Sequence, residues 1–443
     1  MRKILSNLIL FTIFLGSVSF GQSQKWANEQ SDLPKDSEVN YGQLNNGFKY
    51  AWSQKPEKKD HCFLRLMVHV GSLHEREDER GIAHFLEHLA FDGCKNFPKG
   101  SLINWFQEMG MKFGPHLNAH TGFDETVYKI DMPRCNPERV RNALTVFRDF
   151  ADGLLLEESE IKKEQGIIDM EEQDRDSKNL RISRKMMEDF YQGTNYAERL
   201  PIGEKDIRKN FNRKKIEAFY KKWYRPDNMT LVLVGDFDRK GPENNIRDVF
   251  ASMKKGAEEF SSKPDLGTLN DDHKEVVISE KDYPSVEISF LSTQQQEKPL
   301  FTKEDFLKIK KTQLLSRIYN YKVSQYLLEH KRDFYAVSLV DGFDLDIMRL
   351  GICFELHKDE WKSGLTQATI LHNEIISCGF SEDDLNIVLS TIKKDLEDIL
   401  EKEQPENVLS EKGISTLRCK KLCFAVQRIP NDSNTRRLKQ LTQ

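Results

Sequence analysis

The sequence predicts an α+β fold, with helices packed on one side of a mostly antiparallel sheet, and predicts it twice along the chain. Thr126, Tyr128 and Ile130 alternate with Val127 and Lys129, which is a strand pattern. Met229 to Val234 is a short apolar run suited to a buried strand. The order strand, strand, helix, helix, strands, helix, long helix completes the α+β reading.

Taken in order, residues 1–21 have the layout of a signal peptide. Arg2 and Lys3 precede an apolar run from Leu8 to Phe20, and Ser19 and Gly21 are small residues before Gln22. Cleavage after Gly21 is expected. An uncleaved anchor is the alternative, but the run is short for a full span. The expectation is therefore an exported chain, periplasmic or secreted, with no stable membrane anchor once the signal is removed. Residues 22–40 are polar and read as extended.

Residues 41–253 form the first expected domain. Two strands lead to a helix around His84, which Gly93 follows closely enough to stop. A helix from Leu102 to Met109 and strands around 112–132 come next. Asn136 then Pro137 opens a helix: a capping side chain followed by a residue with no N–H to satisfy. Glu158 to about Tyr191 reads as one long acidic helix. Residues 254–273, rich in Lys, Glu, Ser, Asp and Gly, read as a linker. Residues 274–443 form the second expected domain. It has strands at Val276 to Ile278 and Val286 to Leu291, and helices at 303–330, 359–377 and 382–402. The tail from Glu411 to Gln443 is basic and patternless.

The 443 residues suffice for two or three domains of usual size. The net charge is −4, with both signs mixed throughout, so nothing points to nucleic acid. The seven cysteines are spread along the chain and odd in number, so at least one stays unpaired. Most read as buried or free thiols, and no connectivity is predicted. Cys419 and Cys423 lack a second pair that would make a metal site.

The chemistry concentrates at His84-Phe85-Leu86-Glu87-His88. With His84 at 0° on a helical wheel, His88 falls near about 40° and Glu87 near about 300°. Ile82, Phe85, Leu86 and Leu89 occupy the opposite face. One side can be buried while the other presents donors. The pattern H-x-x-E-H is that of inverted zinc peptidases. Catalytic zinc usually has three protein ligands and an open position, so a third donor is needed. Glu164, Ile168 and Glu171 share one stripe of the acidic helix, with Glu172 and Asp169 as nearby competitors. A solvated acidic face is the plainer alternative.

The chain further resembles the pitrilysin/insulinase family of zinc peptidases, nearest to its exported bacterial branch. The resemblance is carried by blocks in the family's order: Asn46 to Tyr50, Gly71 to Glu75, Gly81 to Phe91, Asn118 to Thr121, Asp124 to Tyr128, Glu164 to Glu171, Tyr224 to Met229 and Val234 to Asp236. It implies one zinc ion per chain, held by His84, His88 and Glu171, with Glu164 one step behind the metal. It implies a zinc metalloendopeptidase acting on peptides or unfolded segments, zinc-bound water attacking the carbonyl and Glu87 serving as general base. Asn118 and Ala119 would line a sheet edge that binds substrate backbone; the alternative for Asn118 is a turn cap. Two departures stand out: Glu164-Gln165 replaces the family's Glu-Arg, and the gap from His88 to Glu171 is longer than in the best-known members.

The same resemblance makes residues 274–443 a second pitrilysin-like domain without the metal motif, shorter than expected. Beyond the peptide substrate, it implies a second half-subunit or a homodimer as partner. The alternative function is a weakly active or inactive peptide-binding half that needs a second polypeptide to complete the chamber. His116 and His120 read as ordinary loop residues, and His61, His69 and His74 receive no role.

Overall fold

The computed structural model describes residues 26 to 401, apart from 27–28, 30, 35, 56–58, 238–240, 257–262, 271–277, 279–282, 284, 297–301, 331 and 345. The expected signal peptide, most of the expected strand at 276–278, Cys419, Cys423 and the basic tail lie outside the described residues.

Six strands make the first sheet: β1 (Val39–Gln43), β2 (Lys49–Gln54), β3 (His61–Val68), β4 (Leu117–Thr121), β5 (Thr126–Pro133) and β6 (Met229–Gly235). Their spatial order is β1-β2-β6-β3-β5-β4. All neighbours are antiparallel except β2 and β6. β6 is central and buried at all 7 positions, which is why it reads as one apolar run. β4 closes the sheet at one edge.

Nine helices of the described residues accompany this sheet: α1 (Ile82–Leu89), α2 (Ser101–Glu108), α3 (Pro137–Asp152), α4 (Glu158–Arg175), α5 (Lys178–Phe190), α6 (Asn195–Glu198), α7 (Lys205–Arg208), α8 (Arg213–Trp223) and α9 (Glu243–Phe250). Leu64, Leu66 and Val68 of β3 join Leu231 and Leu233 of β6 in a core with Phe85, Leu86, Phe147 and Phe219 from the helices. Each such side chain contributes ~1.5–3 kcal/mol on burial, so this face fixes the helices to the sheet. Residues of the other parity, Phe63, Val232 and Val234, form a separate small cluster.

One expectation needs correction. The acidic segment is not one helix: it breaks at Asp176 and Ser177, between α4 and α5. The Ser177 side chain accepts from Leu180 N–H and so starts a new helix where a continuous one was expected. Among the cysteines, for which no pairing is predicted, Cys62 and Cys135 form a disulfide, with Cα atoms 5.5 Å apart and a sequence separation of 73. Cys62 lies on β3 and Cys135 just after β5, so the pairing of those strands brings them together. Cys94, Cys353 and Cys378 are free.

The second sheet, order β7-β9-β8, is antiparallel throughout. It comprises β7 (Ser285–Gln295), β8 (Phe334–Asp344) and β9 (Ile347–His357), with α10 (Lys303–Glu329), α11 (Trp361–Cys378) and α12 (Glu382–Glu401). Tyr319, Val337, Phe354, Leu371 and Ile375 form its core. The three helices fall where the sequence puts them. The β8–β9 hairpin was not anticipated: few β9 positions are fully buried, so the apolar alternation is weak. This second unit has the same α+β character with a smaller sheet.

The described part of the expected linker is not free-running. Leu266 O accepts from Asn195 N–H, and Gly267 bridges Thr194. Ile347 of β9 meets Leu73, Tyr191 and Tyr196 in a small cluster between the two sheets' units.

Candidate metal centre

α1 buries Ile82, Phe85, Leu86 and Leu89 in the core, as its periodicity requires. The helix starts at Gly81, whose φ of +98° favours glycine. A buried carboxylate, Glu75, accepts from the Gly81 and Ala83 N–H groups at 2.8 and 2.9 Å. It thereby satisfies donors that the first helical turn leaves open. Burial pushes Glu75 up to about 8, with those two N–H groups opposing. The sequence marks Glu75 only by its place in the Gly71 to Glu75 block.

α4 lies across α1 and directs Glu164 and Glu171 toward it, with Ile168 fully buried between them. His84 Nε2 and His88 Nε2 are 3.2 Å apart. Glu171 Oε2 is 3.4 Å from His88 Nε2 and 3.7 Å from His84 Nε2. Glu164 Oε1 sits 2.7 Å from His88 Nδ1, on the far side of that ring. Arg175 holds the other Glu171 oxygen at 2.5 Å. Among the described residues, His84, His88 and Glu171 are the one group of three or more His, Cys, Asp or Glu whose donor atoms all lie within 4.8 Å of one another.

The competitors point elsewhere. Asp169 and Glu172 accept from the fully buried Arg208 at 2.9 and 2.6 Å. Gln165, where the family pattern has Arg, donates to the carbonyls of Arg208 and Phe211. The acidic stripe is therefore divided: one side packs against α1, the other is anchored by the segment around α7.

The charges fit a cation. Burial, then the charge on His88, pushes His84 down to about 3. Burial also works against a charged His88, but hydrogen bonds to Glu164 and Glu171 outweigh it and raise His88 to about 10. The bond to His88 holds Glu171 down at about 2. The pair of imidazoles thus carries one positive charge, on His88. Glu171 Oε2 is buried, and among the described residues its polar neighbours are the two imidazoles, at the long distances of 3.4 Å from His88 and 3.7 Å from His84. Two imidazole nitrogens and a carboxylate oxygen are the donor set of a three-ligand zinc site, and Glu164 occupies the place of an outer carboxylate that orients a ligating histidine.

Glu87 is buried beside this group without joining it. Burial raises its pKa, and the hydroxyl of Thr121, 2.8 Å from Oε2, opposes the rise. In the sequence, Thr121 stands out only as part of the Asn118 to Thr121 block. The period of two along β4, which puts residues 119 and 121 on one face, is the signal that marks it.

Asn118 and Ala119 lie on β4, at the sheet edge and outside the donor cluster. Asn118 is exposed, and its Oδ1 accepts from the Ala119 N–H at 2.9 Å. That N–H is therefore not committed to β5. Among the remaining histidines, His69 bonds Thr230, His74 accepts from Gly71 N–H, and His116 accepts from Lys112 N–H. His120 lies on β4, 3.7 Å from Glu125, so it belongs to a strand and not to a loop as expected.

Residues 50–201 match the family model "Insulinase (Peptidase family M16)", and residues 210–337 match "Peptidase M16 inactive domain". The probable zinc protease PqqL of Haemophilus influenzae is 37% identical over 210 residues, which is 47% of this chain and 23% of that protein. The chloroplastic stromal processing peptidase of Arabidopsis thaliana is 30% identical over 54% of this chain and 18% of its own length. The matches thus span about a quarter or less of these relatives. In fold, the chain resembles the periplasmic protease PqqL from Escherichia coli at TM-score 0.78 and 24% identity, covering 87% of this chain and 43% of that one. The separately solved first half of PqqL gives 0.75 and 24% identity, over 84% of this chain and 79% of that one.

Proposed function

The chain belongs to the insulinase (M16) peptidase family, and from that premise we propose that it is an exported zinc-dependent endopeptidase acting on peptides or unfolded segments. The observation that carries the reading is the convergence of His84 Nε2, His88 Nε2 and Glu171 Oε2, with a fourth group, Glu87, buried alongside but not in the donor set.

His84, His88 and Glu171 would hold one zinc ion, and Glu164 would fix the His88 ring through Nδ1. When bound, zinc supplies a Lewis acid that polarises the scissile carbonyl and acidifies water. Glu87 takes a proton from the attacking water and delivers it to the leaving amine. A carboxylate whose pKa is raised by burial suits both halves of that task. The open edge of β4 accepts the substrate as an added strand, with the Ala119 N–H as one main-chain donor. Asn118 covers that N–H until a peptide arrives, and then holds a substrate backbone group. Export to the periplasm or beyond is supported by the likeness to a periplasmic protease and by the disulfide.

A second reading is favoured by coverage: the fold likeness spans 43% of full PqqL but 79% of its first half. In that reading the chain is a peptide-binding half whose cleavage is weak until a second half-subunit or a second copy completes the chamber.

The test is zinc stoichiometry together with cleavage of a quenched peptide. We expect one zinc per chain, and a Glu87→Gln variant that keeps the metal but loses about 10²–10⁴ in rate. Cleavage by Glu87→Gln at the wild-type rate would sink the mechanism. Zinc binding with cleavage only on addition of a completing half would select the second reading.

A further inference from the structure

We propose that Thr121 positions Glu87, so that β4 couples docking of a peptide strand to the orientation of the base. The inference rests on the endopeptidase reading above. Glu87 reaches its place from α1, inside a wall that includes Tyr128 and Tyr224, whose hydroxyls bond each other at 2.8 Å and not the carboxylate. Among the described residues, the hydrogen-bond donor to Glu87 is the Thr121 hydroxyl, at 2.8 Å from Oε2. The terminal torsion of a glutamate is soft, so burial alone does not set the plane of its carboxylate. One fixed oxygen does. It leaves Oε1 as the oxygen that faces an incoming proton.

The donor's position in the chain matters as much as its distance. Thr121 is the last residue of β4 and is paired with Thr126 of β5. Two residues earlier on the same face stands Ala119, whose N–H is turned from β5 and covered by Asn118. A peptide added to this edge must displace that Asn118 contact and bond β4 directly. The strand that receives the substrate is thus the strand that holds the base. A plain structural role for Thr121, as a β-favouring residue that satisfies its own hydroxyl, would make no use of this link.

The experiment uses the full chain loaded with zinc. Thr121→Val keeps shape and β propensity but removes the hydroxyl; Thr121→Ala is the second variant should the first not fold. Thr121→Ser retains the donor. Loss of a hydrogen bond to a charged group should lower kcat by about tenfold to a hundredfold, with KM and zinc content within about twofold of wild type. Thr121→Ser should recover most of that rate. Crystal structures of the zinc-loaded variants should show the Glu87 carboxylate rotated in Thr121→Val and in place in Thr121→Ser. A kcat for Thr121→Val within about twofold of wild type overturns the proposal. So does an unmoved Glu87, or a loss in which KM and zinc content change together with kcat. If the wild type binds zinc and cleaves nothing, the functional reading fails, while the crystallographic comparison still decides the role of Thr121.

Discussion

Zinc entering the metal-free chain at pH 7 should expel about one proton, and the structure says which one. His84, held near 3 by burial, is already neutral. His88, raised to about 10 by Glu164 and Glu171 against the cost of burial, is charged. Glu171, held near 2, is already a carboxylate. Only His88 must lose a proton before all three donors can ligate, because an imidazolium nitrogen has no free lone pair. Three units separate its pKa from pH 7, so deprotonation costs ~4 kcal/mol of the intrinsic binding energy, at ~1.36 kcal/mol per unit. The sign follows directly: a proton competes with the metal, so affinity rises with pH. Between pH 7 and 9 it should gain about tenfold per unit, and level off near 10 as His88 titrates unaided. Titration calorimetry in buffers of differing ionisation enthalpy, none of which binds zinc, reads the proton count directly. Glu164→Gln removes a bond that holds the charged ring, and should reduce both the count and the pH slope. A release near zero at pH 7, or an affinity that is flat from pH 7 to 9, would refute the reasoning.

Two further outcomes follow from the same geometry. Glu171→Gln should weaken zinc binding by more than tenfold in a chelator competition assay, whereas Glu172→Gln should leave zinc affinity unchanged and instead lower the urea midpoint, because Glu172 pairs with buried Arg208. Replacing Cys62 and Cys135 together by Ser should destabilise the chain by up to ~4 kcal/mol on a chain-entropy estimate for a loop of 73 residues, measured by urea unfolding with and without reductant; a reductant-insensitive midpoint in the wild type would count against the disulfide.

The metal helix was legible because everything it needs lies within about two turns. Eight residues of α1 place an apolar face and a donor face at fixed angles, whatever surrounds them. Helices α10, α11 and α12 were legible for the same reason. The choice between Glu171 and Glu172 could not be read that way. Both lie on α4, adjacent in sequence, and a shift of one residue turns the side chain by about 100°. What separates them is Arg208, which arrives from α7 and claims Asp169 and Glu172. The break between α4 and α5 has no local signature, because Ser177 caps only once the chain has turned there.

By itself, then, the order of residues determined the α+β character, the two-histidine helix and the acidic stripe of the later helix, since these depend on periods of 3.6 and 2 that act locally. Only the tertiary structure decided which carboxylate meets the imidazoles, which hydroxyl holds Glu87 and which cysteines join. Those contacts are made between segments tens of residues apart, and their partners are chosen by strand register and helix packing, which no local period encodes.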